Sequence, residues 1–233
     1  MREIVLDTET TGLDPLRGDR LVEIGCIEIY NRMPTGQTFH RYINPERDMP
    51  AEAFAVHGLS AEFLAGKPVF TEVVDEFLEF IADAPLVIHN ASFDISFINA
   101  ELDRIKRTPI SRDRLVDTLL LARRKHPVGP NRLDDLCARY GIDNSRRTKH
   151  GALLDAEILA EVYVELIGAR QAQLGLAESS ERRPSGPDDT IVVRTRPQPL
   201  APRLSEAELA AHRDFVVGLG ENALWGYYQP AGI

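Results

Sequence analysis

Asp7 and Glu9 stand two positions apart at the end of an apolar run, Ile4, Val5 and Leu6. In an extended strand, residues i and i+2 project from the same face, so the two carboxylates share a side. Like charges held that close repel, and burying either without compensation is unfavourable. The pair asks for positive charge. Two further acids sit where the pattern changes. Asp94, in VIHNASFDISF, follows a short apolar run and falls in the first turn of an expected helix. Asp155, in HGALLDAEIL, falls early in a long helix, five residues after His150. At ~100° per residue, those positions lie roughly 140° apart on a helix, so helical geometry alone cannot aim both at one point. His150 is therefore expected on the loop before the helix, within reach of a site that Asp155 lines.

Four carboxylates converging at strand ends suit hard divalent cations with oxygen ligands, Mg²⁺ or Mn²⁺. Two such ions about 4 Å apart clamp the attacking and leaving oxygens of a phosphodiester. A neutral histidine beside them takes the proton of the attacking water. Each residue alone has an ordinary explanation: a surface strand end, a helix cap, a polar loop.

The elements that must position these residues are legible. Ile4, Val5 and Leu6 read as a strand buried on both faces, the parallel-sheet pattern. RLVEIGCIEIY and TFHRYINP read as the next two strands of a meander. TEVVDEFLEFIAD carries a helical stripe at Val73, Val74, Phe77, Leu78 and Ile81. PLVIHN is a short buried strand, and SFDISFINAELDRI the helix behind it. RLVDTLLLARRK is a strand entering a helix, with Asp117 as N-cap and Arg123, Arg124 and Lys125 at the C-terminal end. NRLDDLCARYGI is a helix stopped by Gly141, and ALLDAEILAEVYVELIGAR a long amphipathic one. Strands first, then strand–helix alternation, predict an α/β sheet with helices packed on it.

Near residue 177 the character changes. Residues 177–203 hold five prolines and many polar side chains, the composition of a linker. Helical patterning resumes from Ser205, a suitable N-cap, and the chain ends in an aromatic cluster with Trp225, Tyr227 and Tyr228.

The joint order of DTETTG, HNASFD and HGALLDA resembles the DEDDh family of 3′–5′ exonucleases, its last motif marking the histidine branch. EAFAVHGLS and LCARYGIDNSRRTKHGALLDAEILAEVY extend the likeness to the epsilon, or proofreading, subunits of bacterial DNA polymerase III. The resemblance covers residues 3–170 and continues more weakly in the tail. It implies a ribonuclease H-like mixed β-sheet flanked by α-helices. It also implies that Asp7, Glu9, Asp94 and Asp155 hold two divalent cations, with His150 as general base. Glu52 and His57 fall where that family contacts the terminal nucleotide; without the likeness, His57 reads as a turn residue before Gly58. His89 and Asn90 match too, and orienting the turn before Asp94 is their simpler role.

The substrate implied is the single-stranded 3′ end of DNA, from which a mispaired nucleotide frays easily. The partners implied are the polymerase (alpha) subunit, the sliding clamp and a small theta-like accessory subunit. QAQLGL resembles a clamp-binding peptide, with Gln171, Leu174 and Leu176 as anchors, or is simply a helix end. Trp225 and Tyr227 are candidate polymerase anchors. The expected division is a nuclease domain over 1–176, a linker over 177–204 and a polymerase-binding segment over 205–233. The rival reading is a free-standing DEDDh exoribonuclease of the RNase T or oligoribonuclease kind; the four acids do not separate the two, but a free nuclease has no use for the linker and tail.

Composition is compatible. The 233 residues, 43% hydrophobic, suffice for one sizeable core and an appendage. No run approaches the ~18 apolar residues of a membrane span, and the N-terminus enters a strand with no room for a signal peptide. Cys26 and Cys137 form no CxxC pair. A cytoplasmic protein is expected. The net charge of −9 disfavours nucleic acid by its total, yet residues 101–150 carry 13 basic and 7 acidic side chains. That segment can follow a phosphate backbone or be a solvated basic face. If a partner polymerase delivers the DNA, strong independent affinity is unnecessary.

Overall fold

The computed structural model describes residues 1–168 and 204–219. The chain divides into two compact units, Met1–Leu174 and Gly175–Ile233. The first is built on a five-stranded sheet in the order β3-β2-β1-β4-β5. Its strands are β1 (Arg2–Thr10), β2 (Leu21–Tyr30), β3 (Met33–Tyr42), β4 (Leu86–Ile88) and β5 (Leu115–Asp117). β1, β2 and β3 form an antiparallel meander, whereas β4 runs parallel to both β1 and β5. The sheet is mixed, as expected.

Alternation along β1 decides which side chain goes where. Ile4 and Leu6 enter a core shared with Phe77 and Ile81 of α3 (Phe70–Ile81) and Ile98 of α4 (Ala91–Arg104). Val5 enters a second core, with Leu136 of α6 (Leu133–Tyr140) and Ile158 and Val162 of α7 (Ala152–Leu166). Glu3, on the Val5 side, accepts a hydrogen bond from Tyr163 of α7 at 2.8 Å. By the same parity Asp7 and Glu9 face α7, while Thr8 faces α4.

Asp117 caps α5 (Thr118–Lys125) by accepting from the amides of Leu119 and Leu120 at 2.9 and 3.2 Å. The same carboxylate accepts from the amide of Ala91 at 3.2 Å, so it ties together the starts of α4 and α5. Gly141, in the left-handed region at φ 67°, ends α6 as expected.

Two short helices, α1 (Ala51–His57) and α2 (Ala61–Ala65), emerge in a stretch where the sequence marked no helix and His57 read as a turn residue. β3 also starts five residues before the TFHRYINP run, because Met33–Thr38 pairs with β2 as an exposed ribbon. In the second unit, α8 (Glu206–Gly218) begins at Ser205, whose hydroxyl accepts from the Glu208 amide at 3.3 Å. Gln171, Leu174, Leu176, Trp225 and Tyr227 lie outside the described residues, as does most of the expected linker.

Candidate active site

The C-terminal end of β1 opens into a cleft of about 1210 Å³ lined by Asp7, Glu9, Asp94, His150, Asp155 and Arg147. Asp7 and Glu9 arrive on adjacent turns of the β1 pleat, on the face that α7 covers. Opposite them in β2 stand Gly25 and Glu23. Gly25 is required there by packing: a Cβ would lie 2.2 Å from the amide nitrogen of Leu153 and 2.3 Å from the carbonyl carbon of Ala152. The bare backbone lets the first turn of α7 settle on the strand, which carries Asp155 to the acids of β1.

Asp94 comes from the other face. It sits in the first turn of α4 and accepts from the Thr8 hydroxyl at 2.7 Å, a contact between one strand and the helix behind it. His150 lies on the loop before α7, as expected, and its amide donates to the carbonyl of Val56 at 3.3 Å. Lys149 beside it rests over the Phe54 ring, 5.1 Å from the centroid. The loop bearing His150 is thus stitched to α1.

The electrostatics follow from burial. Glu9 is pushed up to about 8 by desolvation, with Asp155 and Glu23 adding repulsion. Glu23 is itself buried and holds His40 at 2.7 Å. Desolvation lifts Asp94 to about 7 and, with repulsion from Asp94 and Glu9, lifts Asp7 well above the carboxylate range. Asp155 alone goes the other way. Burial pushes it up, but the contact with His150 and the hydrogen bonds and charge of Arg147 outweigh that and hold it below the usual value.

Arg147 is the residue that sequence reasoning missed. Its Nε donates to Asp155 Oδ1 at 2.5 Å, and its Nη2 to Asp155 Oδ2 at 2.8 Å. Nη1 reaches both oxygens of Asp134 in α6 at 2.8 Å, and Nη2 lies 2.7 Å from His150 Nδ1. A signal was present: Arg146, Arg147 and Lys149 immediately precede the last motif. In sequence, however, that cluster is indistinguishable from a solvated basic loop.

Glu52 and His57 both line the cleft. Glu52 is exposed on α1. His57 is the last residue of α1 and is only 6% exposed, so it is no surface turn. The Leu59 amide donates to its Nδ1 at 3.0 Å, which leaves the hydrogen on Nε2. That buried Nε2 has no hydrogen-bond partner among the described residues. His89 also lines the cleft. Its Nδ1 lies 2.9 Å from the Thr118 hydroxyl, which in turn donates to the Ile88 carbonyl, and burial lowers its pKa. Asn90 adopts φ 67° before α4 and is exposed, in keeping with a turn-forming role.

The donor set fits divalent cations. Glu9, His150 and Asp155 offer ligand atoms within 4.8 Å of one another. Asp7 and Asp94 raise the local negative potential, as the repulsion on Asp7 records. Hard carboxylate oxygens at a cleft open to solvent are the ligands such ions prefer.

Fold and site together define an exonuclease-type nuclease: the exonuclease family model (RNase_T) matches residues 4–163. Solved structures share the fold at lower identity. The nuclease domain of 3′hExo, a DEDDh member bound to rAMP, gives a TM-score of 0.63 at 15% identity, covering 72% of this chain and 92% of that one. Exonuclease X in complex with 5′ overhanging duplex DNA gives 0.56 at 22% identity, covering 71% and 91%. Closer relatives are named DNA polymerase III subunit epsilon. That of Rickettsia conorii is 49% identical over 93% of this chain and 95% of its own length. That of Escherichia coli K12 is 44% identical over 96% and 97%. The chain belongs to the DNA polymerase III epsilon-subunit family. Metal dependence is typical of this exonuclease family, and among the described residues no helix is long and apolar enough to cross a membrane.

Proposed function

We propose that this chain is the proofreading 3′–5′ exonuclease subunit of a bacterial DNA polymerase III. It removes mispaired 3′-terminal nucleotides as 5′-monophosphates. The observation that carries this reading is the near full-length likeness to epsilon subunits, combined with a cleft in which Asp7, Glu9, Asp94, Asp155 and His150 meet.

Asp7, Glu9, Asp94 and Asp155 hold two divalent cations, Mg²⁺ or Mn²⁺. When bound, these supply the positive charge that offsets the carboxylates, and they polarise the scissile phosphate. Thr8 fixes the rotamer of Asp94 through its hydroxyl. His150, on its loop, accepts the proton of the attacking water as general base. His57 offers its buried Nε2 hydrogen to the terminal nucleotide, which supplies the partner that this atom otherwise lacks. Glu52, on the same helix, flanks that nucleotide at the cleft mouth. The cleft takes a strand end, so a terminus that frays is preferred.

The domain division follows from the same reading. Residues 1–176 form the nuclease, 177–204 a tether, and 205–233 the segment that binds the polymerase (alpha) subunit, anchored by Trp225 and Tyr227. Gln171, Leu174 and Leu176 bind the sliding clamp, and a small theta-like subunit is a further partner. The exoribonuclease alternative is less favoured, because the likeness to epsilon subunits runs through the tail as well as the nuclease. Hydrolysis of 3′-mismatched DNA, matched DNA and RNA, each with Mg²⁺, Mn²⁺ or a chelator, tests the proposal. Mismatched DNA with a divalent ion should be degraded fastest; a preference for RNA would overturn the reading.

A further inference from the structure

Arg147 satisfies the opening demand for positive charge in an unexpected way. Its side chain is 8% exposed, and its fork closes on both oxygens of Asp155 while Nη1 is held by both oxygens of Asp134. Each Asp155 oxygen a cation would use therefore already directs one lone pair at a guanidinium hydrogen, and the guanidinium's positive charge stands where the cation's would. The same guanidinium occupies His150. Nη2 always carries hydrogen, so at 2.7 Å it fixes Nδ1 as an acceptor, against the longer 3.3 Å approach of Nδ1 to Asp155 Oδ2. A nitrogen lone pair directed at Arg147 is not available to water.

We infer that Arg147 is an internal counter-cation, a positioning residue that holds Asp155 and His150 in the cation-free site and must release Asp155 when a divalent ion binds. The inference rests on the cation-site reading above. Asp134 is what makes the exchange feasible. It lies in the first turn of α6, with a side chain 58% exposed, and it accepts from Asn144 Nδ2 at 2.9 Å as well as from Arg147. A guanidinium leaving Asp155 keeps its bidentate partner on Asp134, so it is never stranded without a counter-charge. Part of the site's negative charge is thereby offset between loadings, and divalent affinity is set by a competition rather than by the carboxylates alone. Release also frees His150 Nδ1, which couples readiness of the base to loading of the cation.

Titration of the full chain with Mn²⁺ by calorimetry tests this, with melting curves in chelator alongside. Arg147→Gln, which loses both hydrogen bonds to Asp155, should bind Mn²⁺ at least about tenfold more tightly than wild type, since even one hydrogen bond to a charged group is worth that much, while melting lower in chelator. Arg147→Lys, which keeps the charge but loses the fork, should also bind more tightly than wild type. A clamp that merely supports the structure predicts the reverse, because loosening Asp155 would weaken the ion. Variants that bind no more tightly than wild type would overturn the inference. So would an Arg147→Lys indistinguishable from wild type beside a tighter Arg147→Gln, since distant charge alone would explain that. A wild-type protein that binds no Mn²⁺ would overturn the cation-site reading itself, and this inference with it.

Discussion

Glu9 is burdened by its neighbours, pressed by Asp155 and Glu23 as well as by burial. Removing a charge from such a cluster relieves repulsion in the folded state while deleting a cation ligand. Glu9→Ala, and likewise Asp7→Ala, should therefore abolish hydrolysis yet melt no lower than wild type in chelator. Near-normal turnover in either variant would falsify the assignment of these acids as cation ligands. His150→Ala addresses a different role. It should slow hydrolysis by the ~10²–10⁴-fold typical of a lost general base while the protein still binds divalent ions. Full activity with an unchanged pH–rate profile would make His150 a bystander on its loop. The acids and His150 were legible in sequence because their order in the chain is distinctive. Arg147 was not, because its meaning depends on which carboxylates it faces, and those come from α6 and α7.

At the scale of elements, the site depends on how closely α7 approaches β2. Gly25 sets that distance, since a methyl group there meets helix backbone rather than a flexible side chain. Gly25→Ala should lower stability by about 1–3 kcal/mol, the usual range for overpacking a fitted contact. Because the displaced element carries Asp155, divalent affinity should fall too. Chemical denaturation and calorimetry on the same preparation separate the two effects. Unchanged stability and affinity would mean that α7 accommodates the methyl group and that the contact does not position the acid. Helix α1 gives the complementary lesson. AEAFAVH is too short for a convincing apolar stripe, so its helical character, and with it the burial of His57, came from packing rather than from local pattern.

For the whole molecule, the raised carboxyls make a pH prediction. Glu9 at about 8 and Asp94 at about 7 lie above their ordinary values of 4.5 and 3.8. A carboxyl raised on folding stabilises fully below its unfolded pKa and loses that contribution as pH rises through the folded one. Asp155, held low, loses its contribution only as pH falls through still lower values, outside this window. In chelator the protein should accordingly melt lower at about pH 8.5 than at about pH 5.5, and added Mg²⁺ or Mn²⁺ should raise the melting temperature more at the higher pH. His57 and His89, held below their ordinary value by burial, act the opposite way near pH 6. The decisive interval is therefore from about pH 7 to 8.5, where a melting temperature that climbs would contradict raised carboxyls. The tail belongs to this scale as well. Trp225→Ala should weaken association with the polymerase subunit by more than about 1 kcal/mol if the residue is a central anchor, with hydrolysis unaffected. Wild-type affinity in that variant would place the binding surface elsewhere.

Periodicity and spacing pointed to an α/β fold, and the order of the three motifs, by its likeness to the DEDDh family, pointed to the candidate acids. The β1 pattern aligned Asp7 with Glu9, Asp117 announced its helix, Ser205 its cap, and the five-residue gap put His150 on a loop. These are local matters, governed by which face a residue takes on a strand or helix. Tertiary structure decided the rest: that Thr8 holds Asp94 across the sheet, that Gly25 admits α7, that His57 is buried with an unpartnered Nε2, and that Arg147 grips Asp155. Each of these joins residues from separate elements, and the distance between two packed elements is written in neither one's pattern.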